Sequence, residues 1–298
     1  MKIKLKLSAI IATLTLTACG SPQNLAARKD AQSEKIMCAG AKSENSDGYG
    51  GGDGTQTNPY LICTVAQFKT IQGDMGKKRF FRLTTDLDFS TEGNLRIVAL
   101  SPFASIDGDQ HKLKNITIEH GHGFKDNGIF GQLVKDINGN RDEIKNLIIE
   151  NVKITGDGAE DGGGVIASAN WNGVISNVHV TGIVSIEYPA THPNTWSVGG
   201  LVGHNSSLIE NSSFDGQVTG TYNVGGIAGI NEGTIRNSSS SGSIRGHHGV
   251  GGLVGVQLQP GTTENNTSSG TISALGHFGD LIGVVCNGPN YSDCPIYH

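Results

Sequence analysis

The 298-residue chain is poor in the residue types that announce most chemistries. Lys and Arg number 22 against 27 Asp and Glu, and the two signs are mixed, so there is no basic face for nucleic acid and no acidic tail. Proline occurs 8 times, too seldom for a proline-rich linker, and aromatics make up 6%. No H-E-x-x-H is present to place two histidines and a base on a helix for zinc peptidase chemistry. No C-x-x-C spacing is present either, which argues against a four-thiolate zinc site. No apolar run approaches the ~20 residues of a membrane-spanning helix. The sequence assigns no cofactor and no metal. Glycine, at 44 residues, is what the chain has in excess.

Two end features set the compartment. Lys2, Lys4 and Lys6 precede an apolar run from Leu7 to Leu16, which closes on Leu16-Thr17-Ala18-Cys19. That ending resembles a bacterial lipobox, which implies residues 1–18 as a signal peptide, acylation of Cys19, and a membrane partner reached through the lipid. Gly20 rather than Asp follows the cysteine, which under the usual sorting rule implies the outer membrane. Cys38, Cys63, Cys286 and Cys294 remain, an even number in an oxidising compartment, which points to disulfides. The pairs nearest in sequence are Cys38 with Cys63 and Cys286 with Cys294, although three connectivities are open.

Residues 19–57 read as the lipidated N-terminus and a flexible tether, because their Gly, Ser, Asn, Asp and Lys offer little apolar area to bury. From residue 58 the character changes. Tyr60 to Cys63 predicts a short strand, and Thr64-Val65-Ala66-Gln67 is a capping-box pattern opening a helix with Val65, Phe68 and Ile71 on its apolar face. It is the one helix the mature sequence predicts.

The remainder repeats. Val198, Val224 and Val250 each open a copy of V-G-G-[LI]-[VA]-G, 26 residues apart, and a partial copy follows at Phe278. Looser copies begin at Gly162, Gly128 and Phe103. Aligning the six fuller copies brings Asn115, Asn146, Asn177, Asn211, Asn237 and Asn265 together, with intervals of 31, 31, 34, 26 and 28 residues. Strand patterns of three or four residues cannot form a free-standing sheet, but units stacked at ~4.8 Å pair every strand with its equivalent. The expected fold is all-β: a right-handed parallel β-helix over residues 58–298, a solenoid of about six coils with one short N-terminal capping helix. Leu201, Ile227 and Leu253 would form one interior column, and Ile209 and Ile235 another. The six asparagines would form a structural ladder of turn residues with amides bonded from rung to rung.

The copies at 198–272 resemble GLUG-motif repeats, clearest over 198–285. The lead-in "GDGTQTNPYLICTVAQF" and the segments "FFRLTTDLDFS" and "FASIDGDQHKLKNITI" extend the resemblance to residues 52–285. It implies a secreted or surface protein of bacteria, of a kind that includes adhesin-like proteins and non-catalytic regions of immunoglobulin-cleaving peptidases. Such repeats are scaffolds, so the resemblance speaks for fold more than activity.

Functional residues are expected where the period breaks. The insertion "SIEYPATHPNTWS" at 185–197 carries Tyr188, His192 and Trp196, with Trp171 in the preceding coil. Exposed aromatics on a rigid frame suit a glycan or protein ligand, although a loop folding its aromatics back onto the coil fits the same residues. Carbohydrate-active enzymes on β-helices place carboxylates on neighbouring coils, for which the candidates are Asp86 with Asp88, Asp107 with Asp109, and Asp157, Glu160 and Asp161. No carboxylate recurs at a matched repeat position. The sequence therefore predicts a non-catalytic, adhesin-like binding lipoprotein, with a carbohydrate-active enzyme and a structural envelope component as the alternatives.

Overall fold

The computed structural model describes residues 38, 48–71, 78–95, 104–120, 128–135, 138–156, 162–187, 197–290 and 294. The chain divides into two compact units, 1–35 and 36–298, and every described residue belongs to the second. The signal segment, Cys19, and the loop residues Tyr188, His192 and Trp196 lie outside the described residues, as do Asp157, Glu160 and Asp161.

The described unit is all-β with parallel sheets of 14, 6 and 4 strands and a single short helix. Its arrangement is β-helix-like, because each strand pairs with the strand one repeat further along. Val198 pairs with Val224, Val224 with Val250, and Val250 with Phe278. On the second sheet Val202, Ala228, Val254 and Ile282 are in register in the same way. On the third, Ile209 faces Ile235 and Ile235 faces Thr263. Three sides of each repeat thus meet their counterparts in the next.

That register turns sequence alternation into a core. Leu201, Ile227, Leu253, Ile209 and Ile235 are all fully buried, each contributing about 1.5–3 kcal/mol of apolar burial. The column ends abruptly, since Phe278, the counterpart of buried Val250, is exposed. Glycine serves close approach between rungs. Gly182, Gly216, Gly242 and Gly270 are in register and have φ of 153°, 155°, 103° and 129°. A Cβ on Gly242 would stand 2.0 Å from the Gly216 carbonyl oxygen, so no side chain fits there.

At the N-terminal end the helix Val65–Lys69 forms with its capping box complete: the Gln67 amide N–H donates to Thr64 Oγ1, and Gln67 Oε1 accepts the Thr64 N–H. Phe68 and Ile71 are buried and Val65 half-buried. The tether boundary at 57 moves upstream. Tyr49 stacks on Tyr60 at 4.7 Å and meets Phe81 edge-on at 5.3 Å, and across the lead-in the Gly50 N–H donates to the Leu61 carbonyl while the Leu61 N–H donates to that of Gly51. One tyrosine and one cysteine order a stretch whose average composition reads as tether. Cys38 is bonded to Cys63, and Cys286 to Cys294.

The asparagine ladder differs most from expectation. Asn146, Asn177, Asn211, Asn237 and Asn265 do fall in one column, as the registers of their neighbours require. Asn115 does not: Leu113 faces Ile149, which puts Asn115 beside Asn151 in a separate column. All seven adopt left-handed backbone, with φ from 49° to 61°, a conformation that Asn tolerates better than other side chains. Amide bonds run only through the upper rungs, from Asn177 to Asn146 and on to Asp107, and from Asn151 to Asn115 and on to Asp88. Asn211, Asn237 and Asn265 are exposed, so there the residue serves the turn rather than a ladder.

The continuous ladder lies on another side. Asn170, Asn205, Asn231 and Gln257 are buried. Asn170 Nδ2 donates to Asn205 Oδ1 at 2.9 Å, Asn205 Nδ2 to Asn231 Oδ1 at 2.7 Å, and Asn231 Nδ2 to Gln257 Oε1 at 3.0 Å. Each closes the short strand of its repeat, in "SAN", "GHN", "GIN" and "GVQ". The ends of the ladder stay open, since Asn170 Oδ1 and Gln257 Nε2 have no partner among the described residues; the three amide-to-amide bonds between them form only in this register, so they fix the register of the repeats as well as their turns.

Candidate functional site

Trp171 follows the strand Ala167–Asn170 and turns outward from the six-stranded sheet. It keeps 41% of its surface exposed, yet it is held at both ends. Its Nε1 donates to Gln132 Oε1 at 3.1 Å, and its ring lies against His204 at 4.9 Å, tilted by 47°. Gln132 and His204 flank Ala169 on the outer face of the same sheet, in register on neighbouring strands. His204 Nε2 is 3.5 Å from Glu232 Oε2, which also accepts the Ser206 hydroxyl at 3.1 Å. The patch is thus five side chains drawn from four successive repeats.

Electrostatics fix the acid of this group. The imidazole of His204 holds the Glu232 carboxyl below its ordinary value; burial opposes this and the Ser206 hydroxyl assists. An ionised carboxylate, an amide and an indole face on a rigid sheet suit a polar ligand with one flat side, such as a sugar ring. The group does not assemble a nucleophile and base. Ser206 donates to the carboxylate rather than to the imidazole, and Ser–His relays require the latter.

The rest of this outer face is covered. In the column continuing from His204, Ile230, Val256 and Val284 are buried together with Leu258, Cys286 and Cys294. Cys286 and Cys294, bonded to each other, thus share a buried cluster with the later repeats, and the Trp171 patch occupies the earlier ones.

Of the residues singled out from sequence, Trp171 alone is placed at a described surface site. Gln132, His204, Ser206 and Glu232 were missed because nothing local marks them; they recur at no matched position and meet only through stacking. Asn170, the residue before Trp171, is a rung of the buried ladder. The described acid pairs are engaged in structure. Asp86 meets Lys114 at 2.8 Å and is shifted down chiefly by that bond, and Asp88 is shifted down chiefly by Asn115. Asp107 accepts the Asp109 N–H and the Asn146 amide.

Comparison with known proteins places the repeats. The GLUG motif matches residues 194–219 and 220–245. Halomucin of Haloquadratum walsbyi is 31% identical over 184 residues, covering 54% of this chain and 2% of halomucin. A candidate Gly-rich membrane protein of Evansella cellulosilytica is 31% identical over 144 residues, covering 46% of this chain and 16% of that protein. The chain thus spans a small fraction of either relative. Among solved structures, a candidate immunoglobulin A1 protease of Bacteroides ovatus superposes with a TM-score of 0.59 at 21% identity, over 79% of this chain and 74% of its own, a likeness of fold. With the motif matched in two adjacent units and the same register continued on either side, the chain is a GLUG-motif repeat protein.

Proposed function

We propose that the chain is a right-handed solenoid of about six coils, anchored to the outer membrane through a lipid on Cys19, and that it acts as a non-catalytic glycan-binding module of adhesin type. The observation that carries the binding role is Trp171: a large aromatic half-exposed, yet clamped by Gln132 and His204. Clamping removes the entropy cost that a free side chain incurs on binding, so the indole face is ready for a sugar ring. The cell-envelope location draws support from the relatives, one of which is described as a membrane protein. Tyr188, His192 and Trp196, proposed for the same role, lie outside the described residues.

The test is a glycan array probed with residues 20–298, followed by Trp171→Ala and Trp196→Ala. Saturable binding lost in Trp171→Ala supports the module. Absence of binding across the array, with reducing ends or unsaturated sugars released from any polymer, would replace it with a carbohydrate-active enzyme. Labelling with a fatty-acid probe, abolished by Cys19→Ser, tests the anchor.

A further inference from the structure

A second polar feature lies on a different sheet, away from Trp171. The strands Arg79–Leu83, Ala104–Asp107 and Glu143–Gly156 run side by side, with Phe80 beside Ser105 and Arg82 beside Asp107, which in turn faces Lys145. Their outward side chains, with Gln56 and Pro59 of the lead-in, enclose a hollow of about 60 Å³. Ser105 is 3% exposed. Among the described residues, its Oγ and the buried Nε of Arg82 have no hydrogen-bond partner.

The other charged groups of the hollow are committed. Lys145 Nζ is paired with Glu143 at 3.0 Å, and Asp107 Oδ1 accepts from Asp109 and Asn146. The buried atoms left without partners are a guanidinium N–H and a hydroxyl that can donate, in residues that line one small space. Native proteins satisfy nearly all buried polar atoms, so two unsatisfied donors at one hollow call for a shared acceptor. The volume exceeds what a single water needs and leaves room for a group of a few heavy atoms. A guanidinium edge presents parallel N–H groups that match a planar carboxylate.

We propose that this hollow is a carboxylate subsite that takes the acid group of an acidic sugar, with Arg82 and Ser105 donating to its oxygens. The sugar body stays outside, against the exposed Gln56. The site is independent of the Trp171 reading, and either stands if the other fails.

The test is a titration of the full chain with sodium glucuronate, followed by calorimetry and by amide chemical shifts around Arg82 and Ser105. Glucose, acetate and inorganic phosphate are run in parallel. Glucuronate is expected to bind and to shift those amides, with glucose silent, and with acetate and phosphate weaker. Arg82→Gln and Arg82→Lys should each weaken glucuronate about tenfold, because both remove the fork while the lysine keeps the charge. Ser105→Ala should weaken it severalfold, and Trp171→Ala should leave it unchanged. Circular dichroism melts identify any variant that has merely lost its fold, and Arg82→Lys then decides the matter. Glucuronate no tighter than glucose, acetate as tight as glucuronate, phosphate tighter than either, or Arg82→Lys binding as wild type would each overturn the assignment.

Discussion

Replacing Asn231 with alanine removes the most heavily bonded rung of the buried ladder. Its Nδ2 serves Gln257 Oε1 at 3.0 Å and the carbonyls of Gly233 and Thr262, both at 3.2 Å, while its Oδ1 accepts from Asn205 at 2.7 Å. Alanine leaves Gln257 Oε1 without this donor and reduces Asn205 Nδ2 to its bond with the Ser207 carbonyl. A buried polar group left unpaired costs about 1–3 kcal/mol, so the loss of these partners together is about 3–5 kcal/mol. For a folded unit of this size ~1 kcal/mol moves the melting temperature by ~2–4 °C, which predicts a drop of roughly 6–20 °C. Asn237 is the control. It is exposed with φ of 49°, so Asn237→Ala should cost only the left-handed backbone term of about 1–2 kcal/mol, and Asn237→Gly close to nothing. Thermal melts followed by circular dichroism measure all three. The reasoning is refuted if Asn231→Ala melts within a degree of wild type, or if Asn237→Gly is as damaging as Asn231→Ala.

Leu253→Ala should cost about 2–5 kcal/mol, whereas Leu281→Ala, half-buried on the last rung, should cost about 1 kcal/mol or less in the same melts. Gly242→Ala forces a Cβ to 2.0 Å from a carbonyl and should yield insoluble or unfolded protein, seen as loss of the soluble fraction on expression. Removing Cys38–Cys63 opens a loop of 25 residues, and removing Cys286–Cys294 one of 8; chain entropy then predicts losses of about 3.5 and 2.5 kcal/mol, measured as urea midpoints of paired Cys→Ser variants. Glu232 has its carboxyl shifted down in the folded state, so its contribution is full above its unfolded value and fades as pH falls through the lower folded one. The stability difference between wild type and Glu232→Gln should therefore shrink on acidification below about pH 4.5, and a difference that grows there would contradict the assignment.

The repeat, its 26-residue step and the inward aliphatics were legible because they are local: a two-residue alternation and a fixed spacing are written along the chain. The same holds for the helix start at Thr64, since a capping box spans four residues. The asparagines show where local reading stops. Alignment by spacing grouped Asn115 with Asn146, but an extra strand segment, Lys112–Lys114 beside Ile148–Glu150, shifts it into another column. Asn205 and Asn231 look no different in sequence from the exposed Asn211 and Asn237, which lie six residues further on. Only stacking puts one pair inside and the other in water.

The sequence by itself determined a stacked all-β repeat, which residues face its core, and where glycine and asparagine must bend the chain. These follow from short-range steric and hydrophobic rules that each repeat carries in full. The tertiary structure decided which amides are buried, how far upstream the ordered lead-in reaches, and which side chains meet on the outer faces. Gln132, Trp171, His204 and Glu232 are separated by up to a hundred residues and become neighbours because strands one repeat apart lie about 4.8 Å apart. So do Arg82 and Ser105, whose partnership is a property of register and not of sequence.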